Sequence, residues 1–377
     1  MNGDFGCRFL FIAMNFERPT YLINADICKA NIAAMAEKAA RSGVIFRPHF
    51  KTHQSLKIGE WFRKEGVSRI TTSSLSAARY FADGGWPDIT IAFPVNLREI
   101  DLINHLASRQ RIGLLLEHHQ TAELLIKQLL YPVDVYIKID TGYHRTGLSM
   151  EEMPLISKLA GVIRDSKLMT LKGLLTHAGH TYNAESKEEI RSIYHSSVQT
   201  LLDVSQQLGN HEEPLILSYG DTPACSVMES FSFIHEIRPG NFVFYDLMQL
   251  AAGGCQLDQL AGIVVCPVVA VHPSRNQAVI YGGAIHLSKE PIQMNGRRIY
   301  GQLIEMDDQG WYNPLPEAYV ISLSQEHGII EAPERVIRDL HPGMVVGIIP
   351  VHACLVSNLL QEYTFLNGEK GDYFKGF

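Results

Sequence analysis

One lysine sits among an unusual set of neighbours. In IFRPHFKTHQ, residues 45–54, Lys51 follows an apolar start and is flanked by Arg47, His49 and His53. Cations close to an amine disfavour its protonated form, and a neutral lysine can condense with a carbonyl. A solvated basic loop would have the same composition. Two further stretches, SYGDT (218–222) and RPGN (238–241), combine glycine with hydroxyl and amide side chains. Such loops offer backbone N–H groups and side-chain donors to a phosphate, although each is also an ordinary turn composition. An amine and phosphate loops together suit a phosphate-bearing aldehyde. That describes pyridoxal 5'-phosphate, the electron sink for chemistry at the α-carbon of amino acids.

A third constellation lies near the C-terminus. In HAC, His352 and Cys354 are two residues apart; on a strand they would face the same side and offer an imidazole and a thiolate to one soft or borderline cation. A core histidine beside a buried cysteine is the competing reading. His105, His118 and His119 have no partner motif and are read as surface or packing residues, with His119 able to start a helix.

These residues need a scaffold that brings them together. From residue 45 short β-rich runs alternate with longer amphipathic ones: IFRPHF (45–50), RITTS (69–73), DITIAF (88–93), RIGLLLE (111–117), VDVYIKID (133–140), LKGLLTH (171–177), LILSYG (215–220) and HEIRP (235–239). Several are continuous apolar runs, as in a parallel sheet covered on both faces. Eight strands with crossover helices point to an α/β fold, a (β/α)8 TIM barrel, although a doubly wound open sheet shares much of the pattern. A barrel's active site lies at the C-terminal ends of its strands, where Lys51, Arg145, His177, Tyr182, Ser218 and Arg238 all fall. After about residue 250 the texture changes to strand-like runs broken by Gly, Pro, Asn and Asp, which predicts a mainly antiparallel β domain. The expected division is a barrel over 19–250 and a β domain over 251–377, with residues 1–18, through RFLFIAM, adding a strand to the latter.

Composition narrows the function classes. The chain has 377 residues, 46% of them hydrophobic and 19% charged, the profile of a globular protein with a well-buried core. Lys plus Arg number 33 against 40 Asp plus Glu, a net charge of −7 that gives no electrostatic reason to expect nucleic acid. Six cysteines without CxxC spacing suit reduced, buried thiols and a cytoplasmic setting. The apolar run CRFLFIAM is short and lacks a cleavage site, and no run approaches a membrane span.

The motifs RPHFKTH, KIDTGYHRTG, THAGHTY, SYGDTP and EIRPGNFVFYD, followed by HAC, together resemble the D-threonine aldolase and D-serine dehydratase family of pyridoxal phosphate enzymes. The resemblance runs in order over nearly the whole chain. It implies an alanine-racemase-like barrel plus a β domain, and a homodimer in which both domains build each site. Lys51 would be the Schiff-base lysine and Arg145 the contact to the cofactor's phenolic oxygen. Ser218, Gly220, Thr222, Gly240 and Asn241 would hold the phosphate, with Tyr245 a phosphate or structural residue. His177 and Tyr182 would lie along the pyridine ring and take part in catalysis, with Arg238 or Tyr182 as the partner of its nitrogen. The resemblance also implies a divalent metal on His352 and Cys354, with open positions for water and substrate.

Within that family D-threonine aldolases resemble one another in having His-x-Asp at this point, and the D-serine and hydroxyaspartate dehydratases in having His-x-Cys. This chain has His-x-Cys. Thiolate favours zinc over magnesium or calcium, with manganese as the alternative. Gln325, Glu326 and His327 in SQEHG also resemble the dehydratase group and are either close to the metal or a polar turn. The expected activity is therefore a lyase that removes the α-proton of a D-3-hydroxy amino acid and expels its hydroxyl, giving a 2-oxo acid and ammonia. Its rivals are aldol cleavage to glycine and an aldehyde, racemisation, and a non-enzymatic role in cofactor homeostasis. The exact substrate is set by pocket shape, which motifs do not encode.

Overall fold

A computed structural model describes residues 14–209 and 214–376. The chain divides into two compact units, one from Ile32 to Phe242 and another that combines the stretch up to Asn31 with Val243–Lys375. The division falls inside the segment 19–250 expected from the sequence. The physical reason lies at the barrel's expected start: strand β1 (Thr20–Ile23) pairs with strands from the C-terminal part of the chain, not with the parallel sheet.

All eight expected barrel strands form: β2 (Ile45–Phe46), β3 (Arg69–Thr72), β4 (Asp88–Pro94), β5 (Arg111–Leu116), β6 (Val133–Lys138), β7 (Met169–Leu175), β8 (Ile216–Tyr219) and β9 (Glu236–Ile237). They are parallel in the order β2-β9-β8-β7-β6-β5-β4-β3, and a bridge from His49 to Thr71 joins the two ends into a closed ring. Closure leaves no edge and settles the choice against an open sheet. Strands pack tightly at glycines: a Cβ on Gly173 of β7 would lie 2.0 Å from the Ile216 carbonyl oxygen of β8. Outside the ring, the helix Lys187–Gln207 is capped by Ser186, whose side chain accepts from Glu189 N–H. It buries Ile190, Tyr194, Val198, Leu201 and Val204, a stripe at helical spacing facing the sheet.

At the N-terminal end of the barrel Arg47 is almost fully enclosed. Its Nε donates to Glu236 Oε2 at 2.6 Å and its Nη1 to Asp88 Oδ1 at 2.6 Å. His53, fully buried, stacks on Phe62 and meets the edge of Phe50. Both residues are thus turned away from the Lys51 amine, and the expected cationic crowd around it reduces to His49 and residues from other strands.

The other unit is a nine-stranded, mainly antiparallel sheet in the order β11-β16-β15-β14-β17-β10-β1-β18-β19. Its strands beyond β1 are β10 (Gly262–His272), β11 (Gln277–Tyr281), β14 (Gly301–Asp307), β15 (Gly310–Leu323), β16 (His327–Glu331), β17 (Val345–Pro350), β18 (Tyr363–Phe365) and β19 (Lys370–Gly371), with β12 (Ile292–Met294) and β13 (Arg297–Ile299) as a separate hairpin. Because β10 pairs with β11 as well as β17, six of the strands close on themselves. Of the RFLFIAM stretch, residues 8–13 lie outside the described residues. HAC departs from the expectation of a strand. Strand β17 ends at Pro350, His352 is the N-cap of the helix Ala353–Leu360, and Cys354 lies in its first turn. The helix starts there because the Ala353 N–H finds the buried Asp246 carboxylate at 2.9 Å.

Candidate active site

A cavity of about 280 Å³ opens at the C-terminal ends of the barrel strands, where the fold class places active sites. Lys51, Arg145, His177, Tyr182, Gly220, Arg238 and Gly240 line it, joined by His49, Lys138 and Asp221. Seven candidate residues from five strand ends therefore converge.

Backbone bonds set the state of two histidines. Lys51 N–H donates to His49 Nδ1 at 3.3 Å, which leaves the ring proton on Nε2. His177 Nδ1 lies 2.6 Å from the Gly220 carbonyl oxygen; a carbonyl can only accept, so the proton is on Nδ1 and Nε2 carries a lone pair. Enclosure by the protein, followed by the charges of Lys51 and other cations, holds both imidazoles well below the usual histidine pKa. They are neutral at pH 7. Burial, together with Arg238, pushes the Lys138 ammonium down to about 7, and burial raises the Asp221 carboxyl to about 6. Lys138 was missed from the sequence, although a lysine inside the apolar run VDVYIKID is a visible signal. The cavity thus holds two lysines and two neutral imidazoles.

The loop after β6 brings in Arg145. Asp140 Oδ1 accepts from the N–H groups of Gly142, Tyr143 and His144, and Gly147 N–H donates to Glu117. The Arg145 guanidinium stands over the Tyr143 ring at 5.1 Å. A fixed, cationic loop results.

Gly220 and Gly240 form a cradle with no room for side chains. A Cβ on Gly240 would lie 2.7 Å from the His49 carbonyl oxygen, and one on Gly220 2.9 Å from Arg238 Nη2. Beside them Thr222 and Asn241 are fully buried, with Thr222 Oγ1 accepting from Gly240 N–H at 3.3 Å and Tyr182 Oη accepting from Thr222 N–H at 3.4 Å. Ser218 faces inward instead. It donates to Glu236 Oε1 at 2.6 Å and accepts from Arg238 Nη1, so its hydroxyl fixes Arg238, which burial lowers to about 10. Glu236, shared between Ser218 and Arg47, links the cavity wall to the barrel's other end. Tyr245 belongs to the other unit, buried, with a φ of +51°. His105 and His118 are exposed, and His119 starts a helix, in line with their reading as surface residues.

In that other unit His352 and Cys354 are joined by a side-chain hydrogen bond. His352 Nδ1 is also 2.6 Å from Glu290 Oε2, a residue to which no sequence signal pointed. Burial disfavours a charged His352, but the bonds to Cys354 and Glu290 raise it to about 11. Imidazole, thiol and two nearby carboxylates favour a positive charge here. Among the described residues no group of three or more His, Cys, Asp or Glu side chains is arranged to hold a metal ion.

Both sites fit the groups that the motifs imply. The side-chain-free cradle, with the Thr222 hydroxyl and the Asn241 amide beside it, fits a phosphate, the cavity lysine a carbonyl, and the His-x-Cys pair in an anionic setting a borderline cation. Residues 261–366 match a serine dehydratase domain. The chain is 25% identical to a D-serine dehydratase of Dictyostelium discoideum, over 94% of each, and 27% identical to a D-threo-3-hydroxyaspartate dehydratase of Delftia sp. (strain HT23), over 94% of this chain and 95% of that one. The solved structure of the latter superimposes with a TM-score of 0.87 at 24% identity, covering 96% of this chain and 99% of that one. Residues 23–247, the ring of strands and its cavity included, match the alanine racemase N-terminal domain, and to that family this chain belongs.

Proposed function

We propose that this protein is a pyridoxal phosphate and divalent-metal dependent lyase that dehydrates a D-3-hydroxy amino acid to a 2-oxo acid and ammonia. The observation that carries it is the convergence of Lys51, two neutral imidazoles and the Gly220–Gly240 cradle in one cavity. The dehydratases among its relatives and the His-x-Cys pair support dehydration over aldol cleavage.

When bound, pyridoxal phosphate supplies an electron sink that acidifies the substrate α-carbon, and the cation, zinc before manganese, supplies Lewis-acid polarisation of the 3-hydroxyl. Gly220, Gly240, Thr222 and Asn241 would hold the phosphate. Arg145, pinned through Gly147 and Asp140, would meet the cofactor's phenolic oxygen. Arg238, fixed by Ser218, would face the ring nitrogen, and His177 and Tyr182 would flank the ring. Lys51 Nζ would hold the cofactor until substrate arrives and then take the α-proton. His49, neutral and held by the Lys51 backbone, adds no positive charge beside that amine. His352 and Cys354 would bind the cation. We further read the protein as a homodimer of the cytoplasm, a setting that suits the five described cysteines, all of them buried. Among the described residues no helix is long and apolar enough to cross a membrane.

The test is to incubate the purified protein with D-serine, D-threo-3-hydroxyaspartate and D-threonine, with and without chelator. Chelator-sensitive 2-oxo acid and ammonia are expected, together with a visible absorption band that is absent in Lys51→Ala. Glycine and an aldehyde would transfer the proposal to aldol chemistry, and a colourless wild-type protein would end it.

A further inference from the structure

We infer that Glu290 is the positioning residue of the cation site on His352 and Cys354, an inference that rests on the metal reading above. A carboxylate can only accept, so the 2.6 Å contact holds a proton on His352 Nδ1 and makes Nε2 the nitrogen that gives up its proton to ligate a cation. A carboxylate behind a ligating imidazole fixes its tautomer and raises its basicity. The same ring bonds the Cys354 side chain, so one ring is held by a carboxylate and by the second ligand.

The surrounding chain is built to deliver this carboxylate. Glu290 follows the short helix Ala284–Leu287, which packs on the helix carrying Cys354. That helix ends at Ser288, a non-glycine residue with φ +68°, whose hydroxyl accepts from Glu290 N–H at 3.0 Å. At its start, the N–H groups of Gly282, Ala284 and Ile285 donate to the carbonyls of Glu326, Ser324 and Gln325 at 2.9, 2.8 and 3.2 Å. Gly283 admits no side chain, since a Cβ would lie 2.4 Å from the Gln325 carbonyl oxygen. The SQEHG turn thus acts through its main chain. It buttresses the arm that carries Glu290, while its own side chains are exposed. The Glu290 end of the pair is 39% exposed, and an ion pair open to solvent on one side contributes little to stability, so stability alone does not explain such support.

The full-length protein is stripped with chelator, keeping its cofactor, and zinc is titrated in competition with a chromophoric chelator; cobalt(II) then reports the thiolate through its charge-transfer band. Glu290→Ala is expected to weaken zinc about 10- to 100-fold and to perturb the cobalt band. Glu290→Gln, which keeps the shape and an accepting oxygen, should fall between Glu290→Ala and wild type and guards against a folding defect. The cofactor band and the metal-free unfolding midpoint should not move in either variant. Wild-type zinc affinity in both Glu290 variants overturns the inference. If His352→Ala and Cys354→Ala abolish binding while the Glu290 variants do not, only the role of Glu290 falls. If wild type binds no zinc, or those two ligand variants still bind it, the metal reading falls and this inference with it.

Discussion

Lys51 owes its setting to residues far away in sequence. Of its neighbours in the chain, Arg47 and His53 point elsewhere while His49 reaches the cavity, joined there by Arg145, His177 and Arg238 from other strand ends. The two neutral imidazoles have a consequence for stability. Both pKa values are pushed below the ordinary 6.5, so below pH 6.5 the unfolded chain binds protons that the folded chain does not. Stability is full above that value and falls as pH drops towards the folded pKa, by about 1.4 kcal/mol per pH unit for each such group. The unfolding midpoint of the cofactor-free protein should fall between pH 6.5 and 5, with a shallower slope in His177→Gln. A flat profile over that range would show that the rings already accept protons in the folded state. The cradle makes a second prediction: Gly240→Ala, with its Cβ 2.7 Å from the His49 carbonyl oxygen, should lower pyridoxal phosphate affinity at least tenfold, read by absorbance titration. Unchanged affinity would move the phosphate elsewhere.

Among the elements, the eight strands form where apolar runs and glycine breaks place them, because period and composition are local properties. Their interior pairing is not local. Arg47 on the chain after β2 reaches Asp88 on β4 and Glu236 on β9, with Glu236 fully buried. Removing one partner of such a network leaves an uncompensated buried charge. Arg47→Met should therefore cost about 3–5 kcal/mol, measured by urea unfolding, whereas a loss under about 1 kcal/mol would mean that water reaches Glu236 freely. HAC shows the limit of periodicity in the other direction. Two-residue spacing reads as one face of a strand, but Pro350 ends β17 and the Asp246 carboxylate caps a helix start. The two side chains meet across a helix N-terminus.

For the whole molecule, the second unit is completed by the N-terminal part of the chain. Strand β1 lies between β10 and β18, and its Tyr21, Leu22 and Ile23 are fully buried. A polypeptide of residues 251–377 lacks this strand and exposes two unpaired edges, with roughly 2 kcal/mol lost for each missing apolar side chain. It should not fold alone and should gain dispersed amide resonances when a peptide of residues 18–31 is added. A dispersed spectrum without the peptide would show that β1 is dispensable. A boundary at residue 19 followed from reading the chain in order; the sheet is assembled from its two ends.

By itself the sequence determined the barrel, the β domain after it, and the motifs that carry Lys51, Arg145, His177, Tyr182 and the His-x-Cys pair, since periodicity, turn chemistry and motif order are written along the chain. Tertiary structure alone decided which charges face the amine, that Ser218 fixes Arg238 inside the barrel, and that Glu236 joins the site. It also decided that Glu290 stands behind His352. These are contacts across tens to hundreds of residues, and they depend on where strands close and which way side chains point once closed. No local pattern encodes them.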